Sequence, residues 1–463
     1  MEYKKAFVVD TSEIEGRLDP FYYKVEFLEL EERLKRNNFQ YLSKLTNKIT
    51  DGTHFTPTYT DSGIKFISVK DINDFKINFN KTKFISKEEH TKLIKRCNPE
   101  TNDILLTKIG SIGRIAFVDE SYEEFSLFVS VALLKPKHNL IKYKYLGYLL
   151  TFEIISQQIK RVLKGIGVND FHLEDIKKLK IPLPPKETQT KIIQIMDNAY
   201  KIKEENEKRA KELLASINNY LLDKLDITLP KKEKIVSFEV NSSDIFGSRF
   251  DPFYYKKVFL ELNNLIKSIK YVKLKQIALI KGGKRIPKGK RYSEVKTNYK
   301  YLKVKNINKD IDIDIDELSF ITKATYQEIK NYKIEVDDII ISNAGTIGKI
   351  VIFKNETNYK VILTENAVRV IVSSSLINNL FLKVILEHRI VQSQLSREFI
   401  QTTIPKLSIE RIKNLTIPLP PLPIQNEIAN HIEELRRESN ELKEKAQRVL
   451  KDAKDEVERI ILG

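Results

Sequence analysis

The sequence contains one stretch twice, and this internal repeat restricts the possible folds more than any other feature. Residues 174–192 read EDIKKLKIPLPPKETQTKI, and residues 410–428 read ERIKNLTIPLPPLPIQNEI. The two copies are 236 residues apart, counted from Ile181 to Ile417. Because so long a match does not arise by chance, the chain is predicted to contain two copies of one structural unit.

The repeat extends over most of the chain. RLDPFYYK at 17–24 returns as RFDPFYYK at 249–256, and DILLTKIGSIGRIAFV at 103–118 matches DIIISNAGTIGKIVIF at 338–353. Short β-branched and aromatic runs predict strands in each copy, and a helical pattern follows them at 141–163 and 377–399. The predicted strands are 64–69, 103–108, 114–118 and 128–134, then 300–305, 338–342, 349–353 and 366–372. The predicted fold class is therefore α+β, with two similar domains that are each followed by a long helix.

Each long helix is predicted from apolar residues that recur every three or four positions after IPLPP, a spacing that forms one seam along a helix. Pro184 and Pro185 mark the beginning of the first long helix, and Pro420, Pro421 and Pro423 mark that of the second. Each helix would have about 36 to 40 residues and a length of roughly 55 to 60 Å. The seam needs a partner, and the nearest candidate is the other copy; two unrelated surface helices are the alternative. The predicted seam residues are Met196, Tyr200, Leu214, Ile217, Leu221, Ile428, Ile432, Leu435, Leu442 and Val449.

Composition favours a polyanionic partner. The chain has 80 Lys and Arg against 63 Asp and Glu, a net charge of +17. Clustered cations gain by displacing counterions from phosphates, so nucleic acid is expected before a membrane surface; a generally lysine-rich proteome is the alternative. The single cysteine, Cys97, excludes an internal disulfide and cysteine-based zinc sites. The N-terminus lacks the apolar core of a signal peptide and no apolar run reaches membrane-spanning length, so a cytoplasmic location is expected.

The sequence offers little that could catalyse a reaction. The six histidines are scattered and none has a metal-ligand spacing. AGTIGK at 344–349 departs from a phosphate-binding loop, because Gly345 and Gly348 are only three residues apart and Ile350 follows Lys349. This segment and its counterpart GSIGR at 110–114 are therefore predicted to be tight β-turns. No catalytic residue and no metal site is assigned, and a nuclease or NTPase with an unrecognised site is the alternative.

The loops of the two copies differ in charge. KGGKRIPKGKR at 281–291 is strongly basic, whereas its counterpart TDGTHFTPTY at 50–59 is nearly uncharged. Phosphates attract charge regardless of base sequence, while base edges are distinguished by hydrogen-bonding side chains, so similar scaffolds with different loops would read different bases. A solvated surface is the alternative reading of the basic run. The candidate DNA-binding residues are Thr53, His54, Lys70, Lys108, Ser111, Arg114, Lys164, Asn169, Lys284, Arg285, Lys288, Lys305, Asn343, Thr346, Lys349, Gln401 and Lys406.

Among these candidates, two roles are expected. Substitution of His54 or Asn343 should relax the base preference of the copy that carries it, because these side chains are suited to hydrogen bonds with bases. Substitution of Lys284 or Arg285 should weaken binding to all DNA sequences and flatten its salt dependence.

The combination of these motifs resembles the specificity subunit of type I restriction-modification systems. It consists of IPLPP followed by Gln and Ile on a long helix, DGTHFTP at 51–57, and the pattern D-I-L-x-x-x-x-G-x-I-G at 103–113. The resemblance covers essentially all 463 residues. The second copy departs from it at LIKGGKRIP, 279–287, where Thr-His-Phe-Thr is missing, so the role of the first loop is not carried over to the second.

The resemblance implies target-recognition domains at 1–185 and 229–421 and spacer helices at 186–228 and 422–463, which pack as an antiparallel coiled coil. Each domain would read one half of an asymmetric bipartite DNA site in the major groove, and the helices would set the gap. The implied partners are double-stranded DNA, two methyltransferase subunits and restriction/translocase subunits. S-adenosylmethionine, ATP and Mg are expected on those partners only, and this chain would be non-catalytic. A coiled-coil adaptor that does not bind DNA is the alternative.

Overall fold

The computed structural model describes residues 14, 19–163, 170–228, 239–241, 245, 250–307, 313–355, 357–398 and 405–462, with the backbone alone at residue 263. The described chain combines helices and strands, so the α+β prediction is confirmed. It divides into two compact units. Unit 1 consists of Met1–Glu207 with Lys443–Gly463, and unit 2 is Lys208–Leu442.

The helices are α1 (Val25–Arg36), α2 (Leu42–Leu45), α3 (Lys87–Leu93), α4 (Tyr143–Leu149), α5 (Glu153–Val162), α6 (Leu173–Lys177), α7 (Lys186–Lys224), α8 (Lys257–Lys267), α9 (Leu274–Ile277), α10 (Lys323–Ile329), α11 (Asn379–Glu387), α12 (Arg389–Glu398), α13 (Ile409–Lys413) and α14 (Leu422–Leu462). Short 3-10 helices lie at Pro20–Tyr23, Val69–Asp71, Phe79–Lys81, Pro252–Tyr255, Val304–Asn306 and Lys330–Tyr332.

The strands of unit 1 are β1 (Phe39–Tyr41), β2 (Thr46–Asp51), β3 (Tyr59–Thr60), β4 (Ile64–Ile67), β5 (Ile72–Asn73), β6 (Lys76–Ile77), β7 (Lys83–Ile85), β8 (Ile104–Thr107), β9 (Ile115–Phe117), β10 (Phe125–Leu127), β11 (Val131–Pro136) and β12 (Lys180–Pro182). The strands of unit 2 are β13 (Tyr271–Lys273), β14 (Ala278–Gly282), β15 (Tyr299–Leu302), β16 (Ser319–Phe320), β17 (Ile339–Ser342), β18 (Ile350–Ile352), β19 (Lys360–Leu363), β20 (Ala367–Val372) and β21 (Thr416–Pro418).

Unit 1 is built on two four-stranded sheets. The first has the order β2-β11-β8-β9 with antiparallel pairs, and the second has the order β10-β4-β7-β3 with β10 parallel to β4. Successive strand residues point to opposite faces, so Ile104 and Leu106 join one core and Leu105 joins another. The first sheet is therefore buried on both faces, which explains why Ile104, Leu105 and Leu106 of β8 are all apolar.

Unit 2 repeats this design. Its four-stranded sheet has the order β14-β20-β17-β18, and its second sheet has the order β16-β15-β19 with β15 parallel to β19. Ile339 and Ile341 join one core while Ile340 joins another. The eight predicted strands are present with small displacements at their ends, and each predicted helical run is split into two helices, α4 with α5 and α11 with α12.

Two buried glutamines fix the beginnings of the long helices. Gln425 accepts a hydrogen bond from the Asn378 amide at 2.8 Å and donates to the carbonyls of Leu376 at 3.0 Å and Pro420 at 2.8 Å. Gln189 accepts from the Lys142 amide at 2.9 Å and donates to the Pro184 carbonyl at 3.0 Å. Because each glutamine bonds the segment before α11 or α4, it ties a long helix to the domain beside it.

The two long helices pack against each other inside each unit. In unit 1, Met196 near the start of α7 shares a core with Val457 near the end of α14. In unit 2, Leu221 near the end of α7 shares a core with Ile428 and Ile432 near the start of α14. Since the beginning of one helix always lies with the end of the other, the pairing is antiparallel. Within the described ranges, no helix is long and apolar enough to cross a membrane.

The predicted seam residues occupy this interface to different degrees. Val449 and Ile217 are half-buried and pack against the cores, and Leu214, Leu435 and Leu442 are half-buried. At the middle of the seam, Ser439 of unit 2 is fully buried and donates to the Ala210 carbonyl at 3.1 Å.

Tyr200 packs on the domain of unit 1 as well. Its ring stacks on Tyr148 with centroids 5.5 Å apart and meets the edge of Phe75 at 4.8 Å.

The Gln425 contacts predict a loss of stability on truncation. We expect Gln425→Ala to lower the free energy of unfolding by about 3 kcal/mol, because it leaves two carbonyls and one amide without their buried partner. Asn440→Ala, at an exposed position of the same helix, should change it by less than about 0.5 kcal/mol. Urea unfolding followed by circular dichroism measures both, and equal losses in the two variants would refute the role of Gln425.

We expect His388 to make the stability of unit 2 depend on pH. It lies between α11 and α12, its Nδ1 accepts from the Ile390 amide at 3.3 Å, and its Nε2 is buried without a partner in the described part of the chain. Burial, assisted by the charge of Arg389, lowers the pKa of His388 to about 4. The unfolded chain therefore binds this proton more tightly than the folded chain does.

The stabilising contribution of neutral His388 should be complete above about pH 6.5 and be lost as the pH falls toward 4. We expect a decrease of about 3 kcal/mol in the free energy of unfolding from this group over that range. His388→Asn keeps an acceptor for the Ile390 amide and should remove this part of the pH dependence. Urea unfolding at pH 7 and pH 4 tests this, and identical pH profiles for the two proteins would contradict it.

Candidate nucleic-acid interface

In unit 1, the loop after β2 holds Thr53 and His54 beside a close backbone contact. Gly52 permits this contact, because a Cβ atom there would lie 2.0 Å from the Leu127 carbonyl oxygen. The Thr53 amide then donates to the same oxygen at 3.0 Å. Thr53 is buried, whereas 61% of the His54 side chain is exposed. The loop therefore presents His54 to solvent from a fixed backbone.

A charge network, made of Asp51, His54, Arg96, Lys108 and Asp170, lies under this loop. The carboxylate of Asp51 is buried and accepts a hydrogen bond from Arg96, and His54 Nε2 lies 3.2 Å from its Oδ1. Lys108 Nζ lies 3.7 Å from Asp51 Oδ2 and 3.0 Å from Asp170 Oδ1, with only 4% of its side chain exposed. Lys108 thus connects its own segment to the segments of Asp51 and Asp170 through their two carboxylates. A contact between Lys108 and DNA stays a prediction.

The turn at 128–130 brings further candidates to the same place. The Val129 amide donates to the Thr53 carbonyl at 3.0 Å, and the Lys108 amide donates to the Ser130 carbonyl at 2.9 Å. The hydroxyl of Ser130 accepts from the amide of Val69 at 3.2 Å, directly beside the exposed Lys70. The segments that carry Thr53, Lys70 and Lys108 therefore converge.

Ser111 and Arg114 are exposed on the turn between β8 and β9. The Thr107 hydroxyl closes this turn by donating to the Ser111 carbonyl at 2.5 Å and accepting from the Arg114 amide at 2.9 Å. Gly110 and Gly113 have φ angles of 78° and 90°, a left-handed region that favours glycine. The predicted tight turn is confirmed.

The same turn recurs in unit 2. The Ser342 hydroxyl donates to the Thr346 carbonyl at 2.5 Å and accepts from the Lys349 amide at 2.9 Å. Thr346 is exposed, and Lys349 is half-buried with its Nζ donating to the Ile307 carbonyl at 2.7 Å. This contact ties the turn to the segment that carries the exposed Lys305.

The basic loop of unit 2 starts from the same kind of close approach. A Cβ atom at Gly283 would lie 2.0 Å from the Thr364 carbonyl oxygen, and the Lys284 amide donates to the Leu363 carbonyl at 2.9 Å. Lys284, Arg285 and Lys288 are all exposed. The Arg285 Nε lies 2.7 Å from Glu365 Oε1, and this hydrogen bond raises the pKa of Arg285.

Asn343 is buried in unit 2. Its Nδ2 donates to the Leu407 carbonyl at 3.1 Å, and its Oδ1 has no hydrogen-bond partner among the described residues. Ala344 pairs with Lys406 in an isolated bridge, and Lys406 is exposed. These contacts bring the 343–349 and 405–407 segments together.

The described candidates lie on loops of the two units. We call Thr53, His54, Lys70, Lys108, Ser111 and Arg114, with Asp51, Arg96 and Asp170, the cluster of unit 1, and Lys284, Arg285, Lys288, Lys305, Asn343, Thr346, Lys349 and Lys406, with Glu365, the cluster of unit 2. The remaining three candidates, Lys164, Asn169 and Gln401, lie outside the described residues.

Equivalent positions of the two clusters carry different chemistry. The carbonyls of Lys108 and Asn343 accept from the amides of Phe171 and Leu407, both at 2.8 Å, which fixes the correspondence. In this register the three residues Asp51, Lys108 and Asp170 of unit 1 correspond to Gly282, Asn343 and Lys406 of unit 2. A buried ion network in one unit is therefore replaced by a neutral amide and an exposed cation in the other.

Sequence reasoning did not select Asp51, Arg96, Asp170 and Glu365. The contact between Arg96 and Asp51 joins residues 45 positions apart, and the contact between Arg285 and Glu365 joins residues 80 apart. No short-range spacing in the sequence indicates such an ion pair. Only the DGTHFTP motif, which contains Asp51, could have drawn attention to one of these residues.

Polar and positively charged side chains are prominent among the described candidates. Within them, no group of three or more His, Cys, Asp or Glu side chains could hold a metal ion. Burial, with the nearby charge of Asp51, raises the pKa of the Cys97 thiol to about 12, so this thiol stays protonated. The clusters present hydrogen-bond donors and positive charge, which suit DNA.

Comparison of the sequence with known proteins identifies the family of this chain. A sequence profile described as type I restriction modification DNA specificity domain matches residues 46–216 and 266–452. The chain is 31% identical over 157 residues to the type I restriction enzyme EcoBI specificity subunit of Escherichia coli, covering 34% of this chain and 33% of that protein. It is 26% identical over 373 residues to the MjaVIII specificity subunit of Methanocaldococcus jannaschii, covering 77% and 80%.

One solved structure has a similar fold. It concerns the complex assembly and conformational transition of the type I R-M system, and one of its chains superimposes with a TM-score of 0.50 at 15% identity. The superposition covers 92% of this chain and 95% of that one.

Proposed function

The chain belongs to the family of type I restriction modification DNA specificity domains, and on this premise we propose that it recognises an asymmetric bipartite DNA site. Members of this family confer specificity and are not themselves catalytic. The ranges 1–185 and 229–421 each read one half-site in the major groove, and the helical ranges 186–228 and 422–463 set the gap. One observation carries the proposal: two loop clusters share a backbone frame and differ in their hydrogen-bonding and basic side chains.

Electrostatics supports DNA as the ligand. The net charge of +17 attracts phosphates from any sequence, and exposed lysines such as Lys70, Lys284 and Lys305 lie in the clusters. Phosphate contacts orient the protein on the duplex, whereas side chains such as His54 supply hydrogen bonds to base edges. The clusters therefore combine the two kinds of contact that specific DNA binding needs.

The antiparallel pairing of α7 and α14 inside each unit supports a rigid spacer. Two half-sites read from the same side of B-DNA are about one helical turn apart, roughly 10 base pairs. A spacer of constant length would fix this distance and make the gap part of the recognised sequence.

The proposed partners carry the chemistry. Two methyltransferase subunits dock on the chain and flip adenines into their own active sites, and restriction/translocase subunits join them for cleavage. S-adenosylmethionine, ATP and Mg belong to those partners. The alternative, a coiled-coil adaptor that does not bind DNA, predicts no DNA footprint even when a methyltransferase subunit is supplied; family membership disfavours it.

Two substitutions test the division between base and phosphate contacts. We expect His54→Ala to relax base preference at one half-site by about 1 to 3 kcal/mol, because a hydrogen bond to a base is lost. Lys284→Gln should weaken binding to all sequences and reduce the salt slope by about 1, because one phosphate contact is lost. Binding selection from randomised DNA with the reconstituted complex measures both. The same uniform loss of affinity in both variants would contradict the division.

A heptad inserted into both α7 and α14 tests the spacer. Seven residues preserve the seam and add about 10 Å of helix, the axial length of about three base pairs, so the preferred gap should widen. Replacing seven residues at the same places without a change in length is the control. If mapping of methylated adenines in cells shows the same gap with the longer helices, the spacer proposal is refuted.

A further inference from the structure

Each loop cluster contains one exposed arginine that is held by a carboxylate. In unit 1, Arg96 is 53% exposed and its Nη2 donates to the buried Asp51. In unit 2, Arg285 is 80% exposed and its Nε donates to Glu365 at 2.7 Å, while 25% of the Glu365 side chain is exposed. The Thr364 hydroxyl also donates to Glu365 Oε2 at 3.1 Å, which further fixes this carboxylate.

The two ion pairs are built from positions that do not correspond. The counterpart of Asp51 is Gly282, and the counterpart of Glu365 is Val129. Neither Gly282 nor Val129 has a carboxylate, so neither pair belongs to the repeated scaffold.

Scaffold arginines behave differently. Arg161 and Arg397 occupy equivalent positions, and each donates through Nε to the backbone carbonyl of an equivalent tyrosine, Tyr22 at 3.0 Å and Tyr254 at 2.9 Å. An arginine that the fold requires is thus found at the equivalent position of both units. The two anchored arginines instead reach the clusters from different segments, as expected for residues that serve recognition.

A carboxylate beside an arginine suits base reading better than phosphate binding. The Arg285–Glu365 pair is largely exposed, and exposed ion pairs contribute little to stability, so stability alone does not account for this anchor. In unit 1 the anchor Asp51 is buried, while the arginine that it holds is half exposed. A neighbouring negative charge weakens attraction to phosphates. It also holds the guanidinium in one orientation. Arg96 Nη1 additionally lies 3.5 Å from the Gly52 carbonyl oxygen, and Nη2 lies 3.4 Å from His54 Nε2. Within the described part of the chain, the Nε of Arg96 and the two Nη groups of Arg285 still have N–H groups for the O6 and N7 atoms of guanine, the commonest specific partner of arginine.

We propose that Arg96 and Arg285 each read one G·C pair, one in each half-site, and that Asp51 and Glu365 act as their positioning residues. This inference rests on the proposed function and names the base at one position of each half-site. For Arg285 it replaces the phosphate contact expected from the sequence.

Binding selection from randomised DNA tests this with the complex reconstituted with its methyltransferase subunits. We expect Arg96→Gln and Arg285→Gln each to reduce guanine preference about tenfold or more at a single position, in different half-sites. Lys95→Gln and Lys290→Gln remove one exposed positive charge close by and serve as matched controls that keep every base preference. Unchanged base preferences in the arginine variants, with affinity reduced as in the lysine controls, would overturn the proposal.

Glu365→Ala separates positioning from a purely structural role. Removal of the carboxylate should reduce guanine preference at the Arg285 position and strengthen binding to non-specific DNA, because the cluster gains net positive charge. A loss of both kinds of binding would speak against positioning.

The wild-type complex gives a test that needs no variant. Replacing guanine by 7-deazaguanine removes the N7 acceptor, so affinity should fall about tenfold at one position in each half-site. The inference would be overturned if the complex bound DNA with 7-deazaguanine as tightly as DNA with guanine at every guanine position of the site. It would also be overturned if the selected site had no guanine in one half. If the wild-type complex selects no bipartite site at all, the proposed function itself fails, and the two failures are distinguished.

Discussion

Each long helix carries one apolar stripe that must be covered, and the burial of these stripes is the constraint on which the rest of the structure depends. In each unit, the stripe lies in the same hydrophobic core as the four-stranded sheet, as Met196 with Ile104 and Ile428 with Ile339 illustrate. The helices therefore cannot leave the sheets without exposing a core. The buried glutamines at the helix beginnings add directional hydrogen bonds to this non-directional attraction.

On this frame, glycine fixes the loops and leaves their side chains free to differ. Gly52 and Gly283 allow a carbonyl oxygen to approach within a distance that any Cβ atom would prevent. At these two points the backbone of each loop is held by contacts between backbone atoms. Residues that follow, such as His54 and Arg285, can change without a change in the frame.

The interior beneath the loops shows how different the two clusters are. Lys108 is buried between two carboxylates, an arrangement that is costly to break because a charge would be left without its partner. At the equivalent position of unit 2, Asn343 carries no charge and its amide bonds a backbone carbonyl. The same backbone position thus supports either an ionic or a neutral interior.

By itself, the sequence determined the repeat, the strands, the tight turns at Gly110 and Gly345, the paired long helices and the family resemblance. These features depend on local patterns: apolar periodicity, proline at helix starts and glycine at turns. The tertiary structure alone decided that Lys108 is buried and that Asp51 and Glu365 hold Arg96 and Arg285. These pairs join residues dozens of positions apart, and their geometry depends on how the sheets bring distant segments together, which no local spacing encodes.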